Sequence, residues 1–217
     1  MNTSMRKSLA TLLFAPATLL AAGGYPLDPA PIEPRDLVSL QAGARSFVNY
    51  CMGCHGAQYM RYNRLTDLGL SEAQIRDNLM FSADKVGETM KVAMTVKDGK
   101  AWFGVPPPDL SVIARSRGAD WLYTYLRTFY RDEKTASGWN NKVFPNVAMP
   151  HVLWKLQGQQ SAVQYDTTVR DLVNFLVYVG EPSAQSRKSI GIVVLFFLGV
   201  LFVFAYAMKK AFWKDVR

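Results

Sequence analysis

The apolar residues of the chain are concentrated in two long segments, with a periodic pattern between them. Residues 9–22 are apolar apart from two threonines and one proline, and residues 189–208 are 20 residues without a charged side chain. Between these segments, apolar residues recur at steps of three and four, which is the period of an amphipathic α-helix. The pattern therefore predicts a mainly α globular domain with a hydrophobic stretch at each end.

Capping and turn signals divide the globular part into helices. Ser39 and Asp166 are the predicted N-caps of the first and last helices, and Ser71 with Gln74 forms a predicted capping box at the second. Three consecutive prolines, residues 106–108, predict a stiff extended segment before the third helix. The predicted helices span residues 39–52, a segment that starts at Leu70, residues 109–118, residues 119–131 and residues 166–179, and residues 132–145 are predicted to be loop.

The first 23 residues have the pattern of a secretory signal peptide. Arg6 and Lys7 precede the apolar stretch and small residues follow it, as in an exported protein. An uncleaved anchor is the alternative, but the apolar run is short for a membrane span and contains Pro16. We therefore predict a signal peptide over residues 1–23, followed by a proline-rich extended arm over residues 25–38.

The second apolar stretch is long enough to cross a bilayer. Twenty helical residues at 1.5 Å each cover about 30 Å of hydrocarbon. Four basic residues follow the stretch and two precede it, and such an excess favours the cytoplasmic side. We predict a periplasmic domain over residues 24–186, a transmembrane helix over residues 187–210 in the inner membrane and a cytoplasmic tail over residues 211–217.

The net charge of +8 does not indicate a nucleic-acid-binding protein, because of where the charge lies. Eight of the 25 basic residues and one of the 17 acidic residues flank the two apolar stretches, which leaves 17 basic and 16 acidic residues between residues 23 and 186. The globular domain is therefore close to neutral, and the basic excess is of the kind that sets membrane topology.

The predicted first helix ends in the sequence Cys51-Met52-Gly53-Cys54-His55. Cys-x-x-Cys-His is the attachment signature of a c-type haem. The two thiols, one helical turn apart, can each form a thioether to the porphyrin, and the neighbouring imidazole can take one axial position on the iron. The motif predicts one covalently attached haem c, with Cys51 and Cys54 as attachment sites and His55 as an iron ligand.

Three other interpretations of the motif have less support. A structural zinc site takes about four ligands, whereas the whole chain has two cysteines and two histidines, the second of them, His151, 96 residues after His55. A thioredoxin-like dithiol is expected beside a βαβ pattern, which the sequence lacks. A disulfide between Cys51 and Cys54 remains possible but gives His55 no role.

The other axial position has several candidates. Met149 lies in a predicted loop beside Pro150, which can stiffen the backbone that presents its thioether. His151 is the rival, and a bis-histidine iron would have a lower reduction potential. Met90 and Met94 are four residues apart in a helical pattern and are better explained by packing. We predict Met149 as the ligand and His151 as a loop histidine.

The combination of motifs resembles the cytochrome c1 family, the haem subunits of the cytochrome bc1 complex (ubiquinol–cytochrome c reductase). The resemblance covers roughly residues 25–217. Besides the haem motif, it is carried by four features: Tyr62-Asn63-Arg64-Leu65, Pro107-Pro108-Asp109-Leu110-Ser111, Ala148-Met149-Pro150 and the single C-terminal span. It implies a c-type cytochrome domain, mainly α, with one C-terminal transmembrane helix.

The resemblance also implies roles for individual residues. Met149 matches the sixth iron ligand of the family, and Arg115, four residues after the Pro-Pro-Asp-Leu-Ser element, matches an arginine that meets a haem propionate. A buried propionate needs a charged hydrogen-bond donor such as arginine. The alternative is that Arg115 is an ordinary surface arginine, because the residue itself looks the same in either case. Tyr62 and Pro107 complete the predicted haem contacts, and a half-buried loop tyrosine is the alternative for Tyr62.

The function that the resemblance implies is one-electron transfer without substrate chemistry of the chain's own. The electron would come from a Rieske iron–sulfur protein beside cytochrome b and would pass to a soluble cytochrome c. An anchored cytochrome of another respiratory assembly, such as a terminal oxidase, is one alternative, and a haem sensor or peroxidase is another. The nearly neutral domain and the short interval between His55 and Met149 depart from the mitochondrial pattern.

Overall fold

The computed structural model describes residues 24–215, so the predicted signal peptide lies outside the described residues. The described part is mainly helical, as predicted. In chain order, its elements are α1 (Leu37–Tyr50), β1 (Ala57–Arg61), a 3₁₀ helix (Tyr62–Leu68), α2 (Glu72–Asn78), β2 (Thr89–Met90), α3 (Val96–Phe103), α4 (Ile113–Arg117), α5 (Ala119–Arg127), β3 (Phe129–Arg131), β4 (Trp139–Asn141), α6 (Trp154–Gln159), α7 (Ala162–Gly180) and α8 (Ala184–Phe212).

The crossing of α1 and α7 forms the centre of the core. Phe47 and Phe175 are fully buried there, with ring centroids 5.7 Å apart. The helices approach so closely at Gly43 that a Cβ atom on it would lie 2.6 Å from the Cβ of Phe175, and closer still to the carbonyl oxygen of Asp171. Only glycine fits there without moving a helix. The first and last helices of the globular domain are therefore packed directly against each other.

The caps of these two helices differ from the prediction. Asp36, not Ser39, caps α1, and its carboxylate accepts from the Ser39 amide. Ser39 is buried instead, and its hydroxyl donates to Asp171 on α7 at 2.7 Å. Ser161, not Asp166, caps α7, and Asp166 lies inside the helix, where it forms an ion pair with Arg127. In both cases a tertiary contact takes the side chain that a local pattern assigned to the cap.

The capping box at the second helix is present as predicted, with Ser71 and Gln74 each bonding the other's backbone amide. Two small antiparallel sheets were not predicted. One pairs β1 with β2 and the other pairs β3 with β4. Strand β4 lies within the segment predicted as loop, and the helix predicted over residues 119–131 ends at Arg127 before β3 begins. Three of the four strands have two or three residues, and the burial of the five-residue β1 does not alternate, so none leaves a period-two signal in the sequence.

The N-terminal arm lies against α5. The amide of Asp28 donates to the Thr124 hydroxyl and the amide of Ala30 to the Asp120 carboxylate, both at 2.8 Å. Arg127 then joins the arm to α7 through Asp28 on one side and Asp166 on the other. The arm thus has no regular secondary structure but a defined position.

Helix α8 matches the predicted membrane anchor. Among residues 24–215, one segment, Ser186–Phe212, is long and apolar enough to cross a membrane, and its most apolar part is not buried against the rest of the chain. Its 27 residues measure about 40 Å, and the large apolar side chains along it are exposed. Such a helix needs an apolar environment outside the chain, which a bilayer provides.

Candidate haem-binding site

A cavity of about 280 Å³ lies between the haem motif, residues 51–55, and the loop that carries Met149. Its walls are formed by Cys51, Cys54 and His55, by residues 105–108, by α5 and α7, and by residues 147–150. We call the first wall, made of residues 50–56 and 106–111, the histidine side. We call the facing wall, made of residues 140–150, the methionine side. Most of the lining side chains are aliphatic, aromatic or proline.

The haem motif continues the chain beyond α1 as a single turn. The amides of Cys54 and His55 both donate to the carbonyl oxygen of Cys51, at 3.1 and 2.8 Å. Both cysteines are free thiols, so the structure has no disulfide between them. Burial, with a smaller contribution from Cys54, raises the pKa of Cys51 to about 12. The turn therefore brings two protonated thiols to one edge of the cavity.

His55 is held in one tautomer. Its Nδ1 lies 2.7 Å from the carbonyl oxygen of Pro108. A carbonyl can only accept, so Nδ1 carries the proton and Nε2 has a free lone pair. Burial lowers the pKa of His55, an effect that Pro108 and Asp109 partly oppose. The neutral imidazole is the form in which histidine binds a metal, and metal-binding histidines usually donate from the other ring nitrogen to a carbonyl or carboxylate, as His55 does to Pro108.

The Pro-Pro-Asp-Leu-Ser element is hydrogen-bonded to the residues that follow the haem motif. The Asp109 carboxylate accepts from the amides of Gln58 and Ser111, both at 2.9 Å. The Leu110 amide donates to the Gly56 carbonyl oxygen at 2.7 Å, and the Ser111 hydroxyl accepts from the Tyr59 amide. These bonds join residues 108–111 to the chain just after the haem motif. As a result, the Pro108 carbonyl stands where His55 needs an acceptor.

On the methionine side, Met149 lines the cavity and its sulfur has a partner. The hydroxyl of Tyr125 on α5 donates to Met149 Sδ at 3.3 Å. Tyr125 is buried and its side chain also lines the cavity. The sequence does not single out Tyr125, because a hydroxyl-to-sulfur contact across 24 residues leaves no local pattern.

Two buried asparagines shape the loop that carries Met149. Asn141 donates from Nδ2 to the Tyr125 carbonyl at 2.7 Å and accepts at Oδ1 from the amides of Val143 and Phe144. Asn140 accepts at Oδ1 from the amide of Asn146, which has a positive φ of 60°. Sequence reasoning missed both residues, since it treated their segment as polar loop.

The arginine at the cavity is not the predicted one. Arg117 lines the cavity and lies 5.2 Å from the Trp121 ring centroid. Arg115 does not line it, and its aliphatic part packs near Gly180, where an added Cβ would lie 3.3 Å from its Cγ. Residues two apart on a helix point about 200° away from each other, so α4 can direct only one of the two arginines to the cavity.

The two other predicted haem contacts, Pro107 and Tyr62, differ in their position relative to the cavity. Pro107 lines the cavity, but Tyr62 does not. Tyr62 is fully buried behind the haem motif, where its hydroxyl donates to Met52 Sδ at 3.5 Å and bonds Ser82. It is neither a half-buried loop residue nor a wall residue, because the 3₁₀ helix turns it into the core.

His151, Met90 and Met94 also lie away from the cavity walls. His151 is 2 % exposed and its Nε2 bonds Gln157 at 2.7 Å. Its ring stacks on Phe129 with the centroids 4.9 Å apart. Met90 is buried in β2. The loop histidine of the prediction is therefore a core residue with its own partners.

These residues fit a haem. The cavity is apolar, as a porphyrin plane requires, and carries two thiols at one edge, a neutral imidazole on one wall and a thioether on the other. Arg117 supplies one cation at the cavity, which suits a carboxylate. Within residues 24–215, no group of three or more His, Cys, Asp or Glu side chains could hold a separate metal ion.

The fold and the site define a class: a membrane-anchored, haem-binding protein of the c-type cytochrome kind. Comparison with known proteins gives the family, because residues 30–216 match the Cytochrome C1 family. The chain belongs to this family, whose members are haem subunits of the cytochrome bc1 complex.

Two relatives are similar over nearly the whole chain. One is cytochrome c1 of Allochromatium vinosum, which is 50% identical over 98% of this chain and 100% of its own length. The other is a Nitrosomonas europaea protein named ammonia monooxygenase gamma subunit, which is 50% identical over 96% of this chain and 97% of its own length. Cytochrome c1 of Rhodospirillum rubrum is 28% identical over 84% of this chain and 83% of its own.

Proposed function

We propose that the chain carries one haem c, joined through thioethers at Cys51 and Cys54, with His55 and Met149 as the axial ligands. In this proposal it passes single electrons from a Rieske iron–sulfur protein to a soluble cytochrome c. One observation carries the proposal: a single apolar cavity is lined by both thiols, the imidazole and the thioether. These groups come from positions up to 98 residues apart in the chain, Cys51 to Met149.

When bound, the haem supplies a couple between ferrous and ferric iron, and a His/Met ligand pair gives that couple a raised potential. The protein's own residues orient the ligands and exclude water. His55 donates to the Pro108 carbonyl oxygen, and the Met149 sulfur accepts from Tyr125. With both axial positions filled by side chains, no site is left for a substrate, which favours electron transfer over a sensor or peroxidase.

We assign the propionate contact to Arg117 instead of Arg115. Arg117 is the arginine at the cavity, and it makes no ion pair with any acidic side chain in residues 24–215. Its guanidinium lies beside the rings of both Trp121 and Phe144, at 5.2 and 5.9 Å from their centroids. A preoriented guanidinium without an acidic partner suits a carboxylate ligand.

The orientation is also part of the proposal. We place the haem domain in the periplasm, α8 across the inner membrane and the C-terminus in the cytoplasm. The basic residues at the end of α8, Lys209 and Lys210, support this orientation, as does the signal-like pattern of residues 1–23. A protease added to the periplasmic side should digest the haem domain and leave a tag at the C-terminus intact.

A test of the ligand set replaces Met149 with Leu. The expected result is a haem that remains attached, a lower midpoint potential and carbon monoxide binding to the reduced protein, because one axial position becomes open. Met90→Leu is the matched control, since Met90 is buried and lies outside the cavity walls. Unchanged potential and no carbon monoxide binding in the Met149 variant would exclude this ligand.

A second experiment separates covalent attachment from binding and identifies the assembly. Acidified acetone should leave the pigment on the chain, and release of free haem would contradict the thioethers. Purification through the chain should bring cytochrome b and a Rieske protein with it. Recovery of terminal oxidase or monooxygenase subunits in their place would assign the chain to a different assembly, a possibility raised by the name of the Nitrosomonas europaea relative.

A further inference from the structure

Tyr125 makes the one polar contact to the Met149 sulfur that the described residues provide. Its hydroxyl lies 3.3 Å from Met149 Sδ and donates to it, and it makes no other hydrogen bond within residues 24–215. A thioether sulfur is a weak acceptor and cannot donate. The direction of the bond is therefore fixed, from oxygen to sulfur.

The ring that carries this hydroxyl is fixed on several sides. It stacks on Trp121 at 4.7 Å with an interplanar angle of 11°, and meets Phe129 edge-on at 5.1 Å. The backbone carbonyl of Tyr125 accepts from Asn141 at 2.7 Å, and the other end of that amide holds the loop that leads to Met149. Tyr125 is thus attached both to the sulfur and to the base of the methionine side.

The contact between Tyr125 and Met149 is shielded from solvent. Tyr125 is 8 % exposed and Met149 is partly buried, so few water molecules can compete for the hydroxyl. The hydroxyl therefore makes its hydrogen bond to the Met149 sulfur.

We propose that Tyr125 is a positioning residue that orients the Met149 thioether and tunes the potential of the site. The inference rests on the proposed function, in which Met149 is an iron ligand. A sulfur that gives one lone pair to the Tyr125 hydroxyl has the other available for a metal, which selects one orientation of the side chain. The hydroxyl proton also places partial positive charge beside the site, which favours the reduced state and raises the potential.

The test is Tyr125→Phe in the full, membrane-anchored chain, with Tyr165→Phe as the matched control. Tyr165 is equally buried, and its hydroxyl donates to the Leu126 carbonyl at 2.9 Å without contacting the ligands. Each variant loses one hydroxyl bond and keeps the ring, so both should lose similar thermal stability. A merely structural role for Tyr125 would make the two variants alike in every other measurement.

In the Tyr125 variant we expect a lower midpoint potential and a weaker or shifted absorption band of the methionine–iron bond. Carbon monoxide should displace the methionine of the reduced protein roughly three to ten times faster, as the loss of one hydrogen bond predicts. The Tyr165 variant should match the wild type in all three. If Tyr125→Phe does not accumulate, Tyr125→Leu should give the same potential shift, since it also lacks the hydroxyl.

The outcomes distinguish this inference from the ligand assignment. If Tyr125→Phe matches the wild type in potential, band and carbon monoxide binding while Met149→Leu loses the band, Tyr125 has no positioning role and the ligand set stands. If Met149→Leu retains the band, the ligand assignment fails and the role of Tyr125 fails with it.

Discussion

The two walls of the cavity are built in different ways. On the histidine side, His55, both thiols and the turn between them lie within five consecutive residues. A second short segment is joined to them by the Leu110–Gly56 backbone bond and by bonds of the His55, Asp109 and Ser111 side chains. On the methionine side, the sulfur is presented by a loop whose shape depends on the side-chain amides of Asn140 and Asn141. A backbone bond survives most substitutions, whereas a side-chain amide is lost with one.

The comparison shows why the first wall is visible in a sequence and the second is not. Cys-x-x-Cys-His contains both attachment thiols and the histidine within about one helical turn, so it can be recognised without the fold. A methionine beside a proline is common, and what makes Met149 special is the cavity and Tyr125. Single substitutions should therefore disturb the methionine side more than the histidine side. This expectation holds as long as α1 and α7 stay packed against each other at Gly43.

The largest loss of stability should come from Gly43→Ala, which disturbs the packing of α1 against α7. The added methyl group would overlap the Asp171 carbonyl oxygen and push α1 from α7, and with it the haem motif at the end of α1. We expect a loss of about 3 kcal/mol or more in the free energy of unfolding. Denaturant unfolding and the yield of haem-loaded protein measure it.

Gly53→Ala is the control for this change. Gly53 lies inside the haem motif, but a Cβ atom there would meet nothing within 4 Å. A stable Gly43→Ala protein with a normal haem content would show that the crossing does not support the histidine side.

The next effect should come from Asn141→Ala on the methionine side. It leaves the amides of Val143 and Phe144 without their acceptor and removes one of the two donors to the Tyr125 carbonyl, the other being the Thr128 amide. We expect a loss of about 2 to 3 kcal/mol in the free energy of unfolding and a weaker methionine–iron band with the haem still attached. Thermal unfolding and the visible spectrum measure these changes.

Asn78→Ala provides the comparison, because Asn78 is exposed on α2 and its side chain bonds only the Gln74 carbonyl within residues 24–215. It should change neither property. Loss of haem attachment in the Asn141 variant would mean that the two walls are not independent.

A smaller effect is expected from Asp109→Ala on the histidine side. The substitution removes an acceptor from the amides of Gln58 and Ser111. The side chain is exposed, so water can replace it in part, and the Leu110–Gly56 backbone bond remains. We expect a loss of about 1 kcal/mol in the free energy of unfolding, with the haem retained.

For Asp109 the control is Asp77→Ala, a change at an exposed carboxylate of α2. If Asp109→Ala costs more than Asn141→Ala, side-chain bonds would matter more on the histidine side than on the methionine side, and the contrast drawn above would be wrong.

The smallest expected effect is the loss, at acidic pH, of the stability that Asp132 contributes. Asp132 supports Asn140 by accepting from its Nδ2 at 2.8 Å, and this bond with that of the Lys134 amide lowers the pKa of Asp132. A carboxyl group with a depressed pKa contributes stability above its unfolded-state pKa, and this contribution is lost as the pH falls below about 4.

Comparing Asp132→Asn with the wild type between neutral pH and pH about 3 isolates this term. The wild type should lose its small stability advantage over the variant in acid, with weakening of the methionine–iron band. An advantage that stays constant with pH would contradict the assignment to Asp132.

Local patterns were sufficient for much of the site and of the architecture. The haem motif, the proline segment, the mainly helical class and the apolar C-terminal helix each lie within a short stretch, and each has a physical meaning there. The capping box at Ser71 held for the same reason, because both of its partners are three residues apart. The signal peptide and the ligand roles remain predictions that the experiments above can test.

What required the folded chain was every choice between equivalent local candidates. Ser39 and Asp166 could each cap a helix, but Asp171 and Arg127 bind them instead. Arg115 and Arg117 lie on one short helix, and its rotation decides which of them lines the cavity. The contact of Tyr125 with Met149 joins two elements 24 residues apart. A sequence pattern describes neighbours along the chain, whereas these choices depend on neighbours in space, which exist only once the helices have packed.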